Sequence, residues 1–366
     1  MTFRAFAIVA IMAFGSMPFV PASGRAADSS DAAVRAVLTD AVENFFRPGY
    51  RRVQDRAAAM GNAVEALCTE AGDERLQKTR AAFAEAVSAW SRMETVRFGP
   101  ILHQNAAERL YFFPDRRGIG LRQVQGVLAK KDETATAADT LAAKSVALQG
   151  LGTLEFLLFG TGAEEMAANG DSFRCRFAEA VTARVEATAA TVANEWSEPG
   201  GIANRFANPD SAYADFRTQE DSLRALLGTF TNGLELIADA RIVPFLGGDE
   251  NKARPKAAAW WRAGLTGDAL AQNLGGLSEL YDEAGMQRLL PTENSNLSSE
   301  IRFEFANAQR ALSGIDQPLP KLAEDEKDRS PVAYLLIVTR SLRSLFAERF
   351  AGAIGLVAGF SSLDGD

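Results

Sequence analysis

The sequence predicts an all-α protein of two packed helical bundles, on three observations. Apolar residues recur at three- and four-residue spacing along most of the chain, among the helix formers Ala, Leu, Glu and Arg. Gly, Pro, Asn and Asp interrupt that pattern at intervals of helix length rather than strand length. At 366 residues the chain can build a large core. Glu198-Pro199-Gly200-Gly201, running to Pro209, offers one linker, so residues 27–198 and 199–366 are expected as an N-terminal and a C-terminal bundle.

The elements follow in order. Arg4 precedes the apolar run 6–14, and Gly15, Ser16 and Pro18 break that run well short of the roughly 20 residues a membrane span needs. Gly24 and Ala26 supply the small residues a signal peptidase reads, so residues 1–26 are expected to be a secretory signal peptide. No cysteine lies there, which excludes a lipoprotein. Residues 28–46 open on Asp-Ser-Ser capping chemistry and stop at Pro48-Gly49; residues 50–70 form the next helix, closed by Ala71-Gly72-Asp73. Residues 74–97 carry the stripe Leu76, Phe83, Val87 and Trp90 and end at Gly99-Pro100. After an irregular stretch at 111–115, helices are expected over 118–131, 136–159 and 171–196. Beyond the linker, Phe216, Leu223, Leu227, Phe230, Leu234 and Ile237 mark one long helix, and residues 247–256 a charged loop. Helices over 267–284, 296–312 and 330–352 complete the chain. The last opens on Ser330-Pro331, where proline's missing N–H removes no helical bond.

Loss of residues 1–26 would remove Arg4 and Arg25 and no acid, taking the formal net charge from −8 to −10 and arguing against a nucleic-acid partner. The only cysteines, Cys68 and Cys175, are an even pair in an exported chain. A disulfide between them is expected, the alternative being two buried free thiols.

One carboxylate stands out. In the segment GLGTLEFLLFG, residues 150–160, a helical wheel places Glu155 among Leu148, Leu151, Leu158 and Phe159, with Gly152 leaving a gap one turn earlier. A carboxylate on an apolar face must be paired, hydrogen-bonded or protonated, which makes it a candidate site residue. The helix of Trp90 repeats the pattern, because its apolar stripe continues onto Glu94 and Arg97. Two readings follow: a structural ion pair at a helix end, or a polar pocket shared with Glu155 in which an arginine holds the carboxylate ionised.

Residues 150–160 are similar to the G-x-H-x-x-E signature of the imelysin-like proteins of the bacterial envelope, with Gly152 in the histidine position. Further blocks resemble the same family in the same order. They are Trp90-Ser91-Arg92 with Arg97-Phe98-Gly99-Pro100, the stretch 109–115 with 118–122, Trp261-Arg262-Ala263-Gly264, and the terminal 359–366. The resemblance implies an all-helical periplasmic protein with a pocket near the signature, in a family named for a proposed metallopeptidase activity and linked to iron uptake. The pocket residues it suggests are Glu94, Arg97, Arg122, Glu155 and Arg262. Glu155, Asp364 and Asp366 could serve iron or another oxygen-preferring cation.

Catalytic zinc needs about three protein ligands, usually rich in histidine. The chain has one histidine, His103, placed in a loop outside the signature, and no H-E-x-x-H. It also lacks a G-x-S-x-G elbow and phosphate-binding fingerprints. The expectation is a non-catalytic binding or accessory protein without proteolytic activity, whose partners are a small ligand, a metal ion or envelope proteins of an iron-uptake system. A metal-dependent peptidase or other carboxylate-based hydrolase is the rival, and an envelope scaffold without a ligand is the third reading.

Overall fold

The computed structural model describes residues 23–115, 117–247, 253–315, 318–324 and 329–356. The first 22 residues of the expected signal peptide, together with Asp364 and Asp366, lie outside them. Among the described residues the fold is all-α, without a strand, and no helix is long and apolar enough to cross a membrane.

The longer helices are α1 (Ser23–Asp40), α2 (Arg47–Thr69), α3 (Asp73–Met93), α4 (Ile119–Lys130), α5 (Leu151–Phe159), α6 (Phe173–Ser197), α7 (Gln219–Glu235), α8 (Thr266–Glu283), α9 (Asn296–Ser313) and α10 (Ser330–Ser344). The local signals are conventional. Asp73 and Glu74 meet the positive N-terminal end of α3, Ser172 accepts from the Cys175 N–H at the start of α6, and Thr218 and Asp221 close a capping box on α7. Pro48-Gly49 does not stop a helix as expected. A π-helical segment, Ala41–Phe46, joins α1 to α2 and widens the backbone bonding just before Pro48, which takes up the missing N–H. Gly49 has a different reason, since a Cβ there would lie 2.2 Å from the Met93 Sδ of α3.

Helix α2 packs on α3 and α6, α3 on α8, and α8 on α9, which lies against α10. Gly276 lets α8 approach α3, because its Cβ would sit 2.2 Å from the Arg92 carbonyl; Arg92 in turn reaches Glu279 and donates to Gln272 at 2.7 Å. The buried side chains of both halves form one connected core. Phe46, Phe98, Trp196 and Phe206 stack in one part of it, and Phe230, Tyr281 and Phe346 in another. Packing of α2 on α6 also brings the end of one helix to the start of the other, where Cys68 and Cys175 are joined in a disulfide with Cα atoms 5.5 Å apart.

The single helix expected over 136–159 is three pieces: Ala138–Ala142, the 3-10 turn Val146–Leu148, and α5. The break is at Gly150, whose extended backbone passes so close to its neighbours that a Cβ would lie 2.5 Å from the Arg109 carbonyl oxygen and 2.6 Å from that of Leu110. At Gly152 a Cβ would meet only the Tyr111 ring, at 3.6 Å. Gly150→Ala is therefore expected to cost about 2 kcal/mol or more through overpacking. Gly152→Ala should be neutral or stabilising by up to about 1 kcal/mol through helix propensity. Urea unfolding of the two variants checks the contrast.

Helix α5 is apolar on nearly every side and is held at its C-terminus by two arginines. Arg80 donates to the Leu158 carbonyl at 2.9 Å, and Arg174 donates to Leu157 at 3.0 Å and Thr161 at 2.7 Å, answering both the free carbonyls and the negative end of the dipole. The helix that carries Glu155 is thus fixed from behind.

Candidate functional site

A cavity of about 780 Å³ opens beside α5. Its walls are α5 itself, the aromatic stretch 111–115, residues 239–244 and the segment 254–262. Glu155 is only 4 % exposed, and its Oε1 accepts two hydrogen bonds from consecutive backbone N–H groups, Arg262 at 3.0 Å and Ala263 at 3.2 Å. The turn that aims those donors is built around Trp260, whose φ of 59° is in the left-handed region, and is tied by Thr266 Oγ1 donating to the Ala259 carbonyl at 2.6 Å. The Arg262 guanidinium lies 4.0 Å from Glu155 Oε2 and over the Trp261 ring, 4.4 Å from its centroid. Trp260 stacks on Tyr111 at 3.8 Å, and Tyr111 in turn on Phe113 at 5.4 Å.

Burial pushes the Glu155 carboxyl above its ordinary value of 4.5, against the opposing pull of the Ala263 and Arg262 N–H groups and the Arg262 charge. Burial, and then the Glu155 charge, pushes the Tyr111 phenol well up. For an acid whose pKa is raised on folding, the folded state binds the proton more tightly. Its contribution to stability is complete below the unfolded pKa and is lost as the pH rises through the folded one. Glu155→Gln keeps an acceptor for both N–H groups and abolishes that titration. Its stability relative to the parent should improve as the pH rises from about 4 to 7, and thermal unfolding at several pH values reads this directly. Glu155→Ala leaves both donors without a partner and should cost about 1 to 3 kcal/mol.

Of the five pocket residues expected from the sequence, Glu155 and Arg262 meet at the cavity, and Glu94, Arg97 and Arg122 lie elsewhere. Helix α3 ends at Met93, so Glu94 and Arg97 do not share a helical face. Glu94 is buried in an ion pair with Arg241 and accepts from Asn273 Nδ2 at 3.1 Å. Arg241 lies 4.1 Å from the centroid of the Phe113 ring, so this pair stands behind the aromatic wall. Its burial lowers the guanidinium to about 9, which leaves it charged at neutral pH. Arg97 sits near Glu108 and Tyr50, lowered by burial and raised by the Glu108 charge. Arg122 donates to the Arg117 carbonyl on the exposed start of α4. His103 is apart from the cavity, its Nδ1 2.6 Å from Glu195 of α6. Sequence reasoning passed over Tyr111, Trp260 and Arg241. The aromatic run 111–113 and the Trp-Trp-Arg triplet at 260–262 were the available signals for the first two.

Among the described residues no three His, Cys, Asp or Glu side chains converge to hold an ion. Gly152 offers no donor, and one oxygen of Glu155 is engaged by two backbone N–H groups. The donor set beside Glu155 does not fit catalytic zinc.

The model of the imelysin family, peptidase M75, matches residues 46–345. A search among curated proteins returns no match. Two solved structures share the fold. An imelysin-like protein from Psychrobacter arcticum 273-4 superposes with a TM-score of 0.75 at 18 % identity, over 90 % of this chain and 98 % of its own. An iron-regulated protein A precursor from Parabacteroides distasonis ATCC 8503 superposes with a TM-score of 0.67 at 16 % identity, over 86 % and 95 %. At such identities the likeness is one of fold.

Proposed function

The chain belongs to the imelysin family, and from that premise we propose a periplasmic binding protein, linked to iron uptake, that takes a small ligand in the Glu155 cavity and does not cleave peptides. One observation carries the reading: a buried carboxylate, held by two aimed backbone N–H groups, forms part of the wall of a cavity of about 780 Å³ with aromatic walls. Binding sites for small molecules have this character, apolar and concave with a few fixed polar groups. Gly152 supports a binding role over peptidase chemistry, because the signature position that would carry a histidine beside Glu155 has no side chain. The name of the Parabacteroides protein supports the iron link, and its precursor form, with the signal-like residues 1–26, supports export.

Native mass spectrometry of the protein isolated from its own periplasm tests the proposal. A small-molecule adduct is expected in the parent and absent in Gly152→Phe, whose ring would fill the cavity. Peptide hydrolysis should be undetectable with or without chelator. Chelator-sensitive cleavage that disappears in Glu155→Ala would overturn the reading, as would an adduct that Gly152→Phe retains.

A further inference from the structure

We infer that the Glu155 cavity selects anions, and that its occupant is a carboxylate-bearing molecule with an apolar body rather than a bare cation. The inference rests on the binding role proposed above and names its ligand class.

The charges around the cavity are evenly matched in number but not in availability. Three acids line it, and each is engaged within the protein. Glu155 accepts from two backbone N–H groups. Asp115 caps α4, accepting from the Ile119 N–H at 2.7 Å and the Gly120 N–H at 2.8 Å. Asp239 pairs with Arg340 at 3.5 Å. A bare cation would have to take its oxygens from groups already in use, and desolvation would be repaid poorly.

The three bases that line the cavity are Arg254, Lys256 and Arg262. The Arg262 guanidinium makes no hydrogen bond among the described residues, and its single acid neighbour is 4.0 Å away. Arg254 and Lys256 have no carboxylate within 4.0 Å among the described residues. Lys256 and Arg262 both lie against the Trp261 indole, their charges 5.7 and 4.4 Å from its centroid, so two cations flank one aromatic surface. A carboxylate placed there would gain two charge-assisted partners, and the planar Arg262 fork suits it geometrically. Phe156, Leu121 and Trp261 supply the apolar wall for the rest of the molecule.

Three probes of matched purpose test this on the full mature chain by calorimetry: naphthalene-2,6-dicarboxylate, its neutral dicarboxamide, and Mn²⁺ as a soluble oxygen-preferring cation. The dicarboxylate should bind, the dicarboxamide at least about tenfold more weakly, and Mn²⁺ should give no saturable heat. Raising the salt concentration should weaken the dicarboxylate alone. In the double variant Arg254→Met, Lys256→Met, both positions being exposed, the preference for the dicarboxylate should fall at least about tenfold. Equal binding of the two naphthalene probes, saturable Mn²⁺ binding, an unchanged preference in the double variant, or no binding of any probe would each overturn the inference. An endogenous adduct lost in Gly152→Phe, together with no anion preference, removes the ligand class and leaves the binding role standing. No adduct and no probe binding removes both.

Discussion

Replacing Cys68 and Cys175 together with alanine should lower the unfolding free energy by about 4 to 5 kcal/mol, the largest single effect expected for this chain. The bridge spans 107 positions and ties the last turn of α2 to the first turn of α6. Its main action is on the unfolded chain, which it deprives of much of its freedom. The native state is already arranged for it. Gly170 brings the chain just before α6 so close to the end of α2 that a Cβ would lie 2.3 Å from the Cys68 carbonyl oxygen, so the backbone beside the bridge is in close contact. Urea unfolding of the oxidised parent and the double variant measures the difference. A loss below about 1 kcal/mol would mean that the unfolded state keeps these helices together without the bond.

The second large effect is expected at Arg241. This residue and Glu94 are both nearly inaccessible, and two of the guanidinium nitrogens, Nε and Nη1, have no hydrogen-bond partner. Arg241→Met removes the cation and strands a buried carboxylate, at a cost of about 3 to 5 kcal/mol. Arg241→Met combined with Glu94→Leu removes both charges and should recover a substantial part of that cost, since two buried charges no longer need to be desolvated. Because Asn273 would then lose its Glu94 acceptor while keeping the Ser91 carbonyl at 2.6 Å, recovery should be incomplete. A single-variant cost below about 1 kcal/mol would show that water reaches the pair.

How far the sequence disclosed this arrangement differs from element to element. Helix content followed from apolar spacing, and the start of α10 from Ser330-Pro331, because the chemistry of a helix start is local. The partner of Glu94 was not legible. Reading its helix on through Arg97 kept the two on one face, but the chain turns after Met93 and the charge that reaches Glu94 comes from a distant segment. Arg241 was hidden for a related reason. It lies in a π-helical stretch, Leu236–Ile242, where a 3.6-residue wheel loses its phase. The break before α5 was hidden as well, because Gly150 is required by two carbonyls about 40 positions away and not by any local pattern. Glu155 could be seen as anomalous on its own helix, and Arg262 could be proposed as its neighbour. That the main donors would be backbone N–H groups could not, since every residue carries one and only the Trp260 turn aims them.

The most direct test of the binding account is a crystal structure of the protein isolated from the cells that make it, without added ligand. The account predicts density for a non-protein molecule lying against Trp261, with an acceptor atom within hydrogen-bond reach of the Arg262 guanidinium and Glu155 still held by the N–H groups of 262 and 263. A cavity filled only with water, or a metal ion coordinated directly by Glu155, would contradict it.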